Sequence, residues 1–90
     1  MTAKDAEILA ASWVWENYRV IPPVNVVFEF SEHLLSKMRN QGMVPNTEEE
    51  DKVRGKWFVS FFCSWDTDAL DMPQALNLLV DDKTGKIHPA

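Results

Sequence analysis

The 90-residue chain is poor in several residue types, and each shortage removes a class of protein. A single cysteine, Cys63, cannot form a disulfide within the chain, which is typical of a reducing, cytoplasmic setting. The three glycines are isolated, which excludes a glycine-rich phosphate-binding loop. No apolar run approaches the ~18–20 residues that cross a bilayer, and residues 1–7 lack the pattern of a secretory signal. We therefore expect a cytoplasmic protein that does not span a membrane.

Basic residues are also in deficit, because nine Lys and Arg residues stand against 14 Asp and Glu residues and leave a formal net charge of -5. A general nucleic-acid binder carries a basic patch, so a nucleic-acid partner is disfavoured. The hydrophobic share of 46% and the charged share of 26% are those of an ordinary globular protein. The composition and length therefore predict one folded, acidic domain that covers residues 1–90.

The first 20 residues predict a helix from about residue 3 to residue 19. Thr2 is the expected N-cap, and Asp5 stands three residues later, near the capping-box pattern. Pro22 and Pro23 end the helix, because proline disfavours helical geometry in the residue before it. The apolar residues at helical spacing predict a core-facing side made of Ile8, Ala11, Trp15 and Tyr18, widened by Leu9, Trp13 and Val14.

Residues 24–41 fit two patterns. The β-branched valines at 24, 26 and 27 favour a strand over residues 24–30. Pro23 and Gly42 instead suit the two ends of one long helix. We take the long helix as the prediction; both patterns make residues 32–41 helical. Residues 43–54 predict a linker, and their acidic run, Glu48 to Asp51, predicts a solvated loop or a frayed helical turn.

The last third of the chain predicts antiparallel strands over residues 56–65 and 74–81. Residues 82–85 predict a tight turn in which Gly85 takes a positive φ, followed by a short edge strand that ends at Pro89. The apolar faces of the two strands are Trp57, Val59, Phe61, Cys63 and Trp65 on the first and Leu76, Leu78 and Val80 on the second. The predicted fold class is α+β: N-terminal helices packed on one face of a small antiparallel sheet that ends in a C-terminal hairpin. We expect large aromatic side chains to fill the space between helix and sheet, namely Trp13, Trp15, Trp57, Phe58, Phe61 and Phe62.

Few residue patterns point to chemistry. No zinc-type spacing of His and Cys exists. Asp66, Asp68 and Asp71 resemble the start of a calcium loop, but the required glycine and the glutamate at the twelfth position are missing. Cys63 stands on an apolar strand face, which predicts a core residue and not a nucleophile. We predict no metal, no cofactor and no enzymatic activity.

Two segments carry a resemblance to known protein families, namely WFVSFF at 57–62 and VDDKTGKI at 80–87. The region 56–88 that contains them resembles the C-terminal hairpin of small bacterial immunity-type domains (the YrhB-like group). It is also similar to the hairpin of peptidase-propeptide and cystatin-like modules. The resemblance covers about a third of the chain and implies an α+β inhibitor or binding module without catalytic residues. Residues 20–55 depart from the immunity pattern, because this stretch is longer and holds a second predicted helix.

The predicted function is protein binding. Trp65, followed by Asp66, Asp68 and Asp71, predicts a contact loop for a basic protein partner, since aromatic anchors and charge complementarity are usual at such surfaces. The acidic run Glu48 to Asp51 would then steer the partner. The alternative for Trp65 is that its side chain closes the core.

Two other functions stay open. The first is a homo-oligomer joined through the face that carries Phe58, Phe62 and Leu79, if no helix covers that face. The second is a ligand-binding or enzymatic cavity between helix and sheet. Its predicted lining is Trp13, Trp15, Tyr18 and Trp57.

Overall fold

The computed structural model describes residues 1–43, 47–62 and 75–90, and these residues form an α+β domain. The elements are α1 (Ala3–Tyr18), β1 (Val24–Glu29), α2 (Glu32–Asn40), α3 (Thr47–Val53), β2 (Lys56–Phe62), β3 (Ala75–Asp81) and β4 (Ile87–Pro89). The strands form one antiparallel sheet in the order β1-β2-β3-β4. The predicted fold class is confirmed, with α1 packed on the sheet and a hairpin of β3 and β4 at the C-terminal end.

The start of α1 is as predicted, but the side it turns to the core is not. The Thr2 hydroxyl accepts from the Asp5 N–H and the Asp5 carboxylate accepts from the Thr2 N–H, which completes a capping box. The fully buried residues of α1 are Ala6, Ala10 and Val14. Small side chains spaced four apart let the helix backbone lie close to the sheet, and the bulkier side chains are left at the flanks and on the outer side.

The predicted core-facing side of α1 is therefore wrong at Ile8, Leu9 and Trp15, whereas Val14 is buried and Trp13 is partly buried against the core. Ile8 is 53% exposed and Trp15 is 47% exposed, so both side chains lie on the outer surface of the helix. Trp15 therefore does not fill the space between helix and sheet, and the Arg19 guanidinium lies over its ring instead, 5.8 Å from the centroid. Ala11 and Tyr18 are partly buried against the core.

The predicted long helix from residue 24 is also wrong, because residues 24–29 form strand β1 and the helix begins only at Glu32. The β-branched valines fit a pleated strand, and Val24, Val26 and Val27 each have a partner residue in β2 across an antiparallel ladder. Ser31 then caps α2, with its hydroxyl accepting from the Leu34 N–H. The helix predicted for 32–41 is confirmed in α2, which ends at Asn40.

The linker predicted for residues 43–54 contains a helix, α3. Its first turn carries Glu48, Glu49 and Glu50, and negative charge is favourable at the positive end of the helix dipole. Gly55 follows the helix with a φ of 72° and turns the chain into β2. Acidic side chains that look like a solvated run in the sequence thus form the N-terminal turn of a helix.

Strands β2 and β3 supply the centre of the core as predicted. The side chains that face α1 are buried, and they are Val59, Phe61, Leu76, Leu78 and Val80. The turn after β3 is also as predicted, since Gly85 has a φ of 73°. The Asp81 carboxylate accepts from the Thr84 and Lys83 N–H groups at 2.9 and 2.8 Å, which lowers the pKa of Asp81. The prediction of a buried Cys63 lies outside the described residues.

Candidate protein-binding surface

The face of the sheet opposite α1 carries an aromatic cluster made of Phe28, Phe30 and Phe58. Phe28 and Phe58 stand directly opposite each other in the β1–β2 ladder, and their rings stack with centroids 5.1 Å apart. The Phe30 ring meets Phe28 edge-on at 5.0 Å. Aromatic pairs at these distances add stability beyond the area they bury. The cluster therefore makes this part of the sheet face apolar and rigid.

An ion-pair cluster joins α2 to α3. The Glu50 side chain is almost fully buried, and its carboxylate accepts from Arg39 Nε and from Arg54 Nη2, both at 3.0 Å. Arg54 also pairs with Asp51 and with Glu32, at the start of α2. The hydrogen bond from Arg39 lowers the pKa of Glu50, and the same contact raises the pKa of Arg39. One member of the predicted steering patch is thus a structural residue that two arginines neutralise.

The other end of the sheet exposes apolar side chains. Phe62, the last residue of β2, is 51% exposed, and Val26 in β1 is 39% exposed. The Phe62 N–H donates to the Pro23 carbonyl at 2.9 Å, which fixes Phe62 beside the start of β1. We call Val26 and Phe62 the apolar patch; both lie on the face of the sheet away from α1, whereas Val24 stands opposite the buried Phe61 on the other face. The prediction from the sequence did not include Val26, although the strand pattern over 24–30 contained it.

Two open grooves flank the aromatic cluster. One has a volume of about 400 Å³ and is lined by Phe28, Leu34, Lys37, Met38, Gln41 and Met43. The other has a volume of about 450 Å³ and is lined by Phe30, Glu49, Lys52, Val53, Phe58, Leu79, Pro89 and Ala90. Both have mainly apolar walls with charged or polar side chains at the rim. Phe58 and Leu79 are half-buried beside the second groove, so the face predicted to join a homo-oligomer is only partly covered.

The predicted contact residues belong to the connection between β2 and β3. Trp65, Asp66, Asp68 and Asp71 lie outside the described residues, so their role stays a prediction. The residues that flank this connection are described: Phe62 and Ala75 stand opposite each other in the ladder. Residues 63–74 hold three aspartates and no Lys or Arg, so they carry three of the five excess negative charges. The two described residues that flank this acidic segment, Phe62 and Ala75, therefore lie side by side at this end of the sheet.

The residues predicted to line a cavity between helix and sheet lie in different surroundings. Trp15 is on the outer surface of α1, and Trp13 packs edge-on against Tyr18 with ring centroids 6.2 Å apart. Trp57 Nε1 donates to the Asp82 carboxylate at 2.9 Å, which lowers the pKa of Asp82. Between α1 and the sheet, Ala6, Ala10 and Val14 are fully buried in the core.

Within residues 1–43, 47–62 and 75–90, no three or more His, Cys, Asp and Glu side chains are grouped so that they could hold a metal ion. Over the same part of the chain, no helix is long and apolar enough to cross a membrane. Comparisons with known protein families, with curated proteins and with solved structures find no match for this chain. The function must therefore be argued from the surface itself.

Proposed function

We propose that this domain binds a basic protein partner and acts by covering part of that partner's surface, as an inhibitor or immunity-type protein does. The observation that carries the proposal is the pairing of Phe62 with Ala75. This pairing places the two described residues that flank the acidic segment 63–74 side by side at the end of the sheet that carries the apolar patch.

An apolar anchor beside negative charge has a clear physical use. An exposed aromatic side chain such as Phe62 gains free energy when a partner removes it from water, and a small number of such anchors supply most of the energy of an interface. Carboxylates around the anchor attract a cationic partner over a longer distance and raise the association rate. In this proposal Phe62 is the anchor, and Trp65 extends it.

The acidic side chains then select the partner. Asp66, Asp68 and Asp71 meet Lys and Arg side chains that surround the partner's own apolar contact. In the acidic run, Glu50 and Asp51 are paired with arginines, so the charge that the run offers to a partner is smaller than its sequence indicates. Glu48 is exposed and can contribute to steering. The buried Glu50, which is already paired, takes no part in contact with the partner.

Capture from a lysate of the source organism at low salt, with bound proteins identified by mass spectrometry, tests this function. We expect a basic protein to be retained by the wild-type domain. It should be lost by Phe62→Ser and by the triple variant Asp66→Asn/Asp68→Asn/Asp71→Asn. The matched control is Ile8→Ser, which removes an equally exposed apolar side chain from α1 and should retain the partner. Retention of the same protein by all variants, or no retained protein, would contradict the proposal.

A further inference from the structure

Strand β1 forms one edge of the sheet, and its stretch from Val26 to Glu29 lacks the usual protection against pairing with another strand. β2 lies along one side of β1, and no strand of residues 1–43, 47–62 or 75–90 lies along the other side. Edge strands are commonly protected by lysine, by proline within the strand or by a bulge. The sequence of β1, VNVVFE, contains neither lysine nor proline. Its one irregularity lies between Val24 and Val26, and the residues from Val26 to Glu29 pair regularly with β2.

The open side of β1 presents backbone groups. The Phe30 N–H donates to the Lys56 carbonyl at 2.9 Å and the Phe30 carbonyl accepts from the Gly55 N–H at 3.0 Å, so both backbone groups of Phe30 point towards the β2 side. Hydrogen-bonded pairs alternate along an antiparallel ladder, so Phe28 also turns its backbone groups towards β2. Val27 and Glu29 therefore turn their N–H and carbonyl groups to the open edge, where another strand can accept and donate hydrogen bonds.

We propose that a second copy of this chain pairs with this edge, so that two β1 strands run antiparallel about a two-fold axis at Val27. This axis places Val27 opposite itself and Val26 opposite Phe28 of the second copy, which are apolar pairs. It also places Asn25 opposite Glu29 of the second copy, twice by symmetry. The Asn25 amide can donate to the Glu29 carboxylate, so the two edges are complementary in hydrogen bonding.

Other positions of the axis match the chemistry less well. An axis at Glu29 would bring two carboxylates together, which is destabilising for residues directly opposite each other. An axis at Phe28 would place the Glu29 carboxylate opposite the Val27 side chain. Asn25 lies at the irregularity between Val24 and Val26, where it has no partner residue in β2, and its exposed side chain can reach a second copy. The dimer would join two four-stranded sheets into one continuous sheet.

This inference goes beyond the proposed function, since it depends on Asn25, Val27 and Glu29 and not on the acidic segment. Sedimentation equilibrium of the full chain over a range of concentrations tests it. We expect the mass to rise with concentration from 10.4 kDa to twice that value. A mass of 10.4 kDa at all concentrations up to the millimolar range would overturn it.

Two substitutions at one exposed position test the axis. Asn25→Lys places two ammonium groups opposite the two Glu29 carboxylates, whereas Asn25→Asp places two carboxylates there. We expect the dimer dissociation constant to fall by roughly 2- to 30-fold in the first variant and to rise by a similar factor in the second. Ser12→Lys and Ser12→Asp make the same charge changes at an exposed position on α1 and serve as controls. Equal effects of the substitutions at positions 12 and 25 on the dimer dissociation constant would overturn the proposed pairing of the two β1 strands.

Discussion

Replacing Ala10 by leucine tests which side of α1 faces the core. Ala10 is fully buried in the core cluster with Val59, Leu78 and Val80. Alanine and leucine are both strong helix formers, so the substitution changes intrinsic helix stability little. The three added carbon atoms must instead displace side chains that are already packed, which typically costs about 1–3 kcal/mol. A domain of this length has a free energy of unfolding of roughly 5–13 kcal/mol, so this loss is readily measured.

Urea unfolding followed by tryptophan fluorescence measures the loss, provided that the slope of the transition is unchanged. Ala3→Leu is the matched control, because it makes the same chemical change at an exposed position of α1 and should alter stability by less than about 0.5 kcal/mol. Trp15→Ala gives the opposite contrast. Had the side predicted from the sequence faced the core, this variant would cost about 3–5 kcal/mol. Since Trp15 is 47% exposed, we expect the variant to be less damaging than Ala10→Leu. This account of the packing would be refuted if Ala10→Leu had the free energy of unfolding of the wild type, or if Trp15→Ala lost more free energy of unfolding than Ala10→Leu.

Two further predictions concern the carboxylates. Glu50→Gln removes the buried charge to which Arg39 and Arg54 both bind, so the urea midpoint of unfolding should fall. It should lie well below the midpoint of Glu48→Gln, which alters an exposed acid in the same helix turn. Equal midpoints for the two variants would contradict the stabilising role of the ion-pair cluster. The folded-state pKa values of Glu50, Asp81 and Asp82 are lowered by their partners, so these groups stabilise the fold when the pH is above the ordinary carboxyl pKa of ~4. That stabilisation is lost as the pH falls through the lowered pKa values of the folded state. A thermal unfolding midpoint that does not decrease between pH 5 and about pH 2 would contradict this prediction.

The parts of the fold that follow from local chemistry were predictable from the sequence. The capping box at Thr2 and Asp5, the turn at Gly85 and the alternating apolar face of β3 each depend on a few neighbouring residues. The α+β class follows from the same local patterns, since a helix and strands with apolar faces must cover one another.

The errors arose where distant residues decide between local alternatives. Residues 24–29 fit both periods, and only the ladder to β2 selects the strand. In α1 the hydrophobicity of Ile8 and Trp15 predicted the buried side, whereas the sheet accepts the side with the smallest side chains. The acidic run was expected to be solvated, whereas Glu50 is buried and its carboxylate is bound by Arg39 and Arg54.

The candidate surface was predictable only in part. The aromatic and acidic composition of residues 57–71 indicated a binding surface, but it did not indicate which residues from other parts of the chain lie beside it. The contribution of Val26 depends on the pairing of β1 with β2 and on the hydrogen bond from Phe62 to Pro23, which no local pattern encodes. The resemblance to immunity-type domains stays a prediction.

The salt dependence of partner binding tests the central claim most directly. Once a partner is captured, its dissociation constant is measured by isothermal titration at low and at high ionic strength, for the wild type and for the Asp66→Asn/Asp68→Asn/Asp71→Asn variant. We predict that the wild-type affinity weakens as salt is added, because exposed charges are screened, and that the variant binds more weakly with a smaller dependence on salt. A wild-type dissociation constant that is the same at both ionic strengths would contradict the proposal that this acidic domain recognises a basic partner.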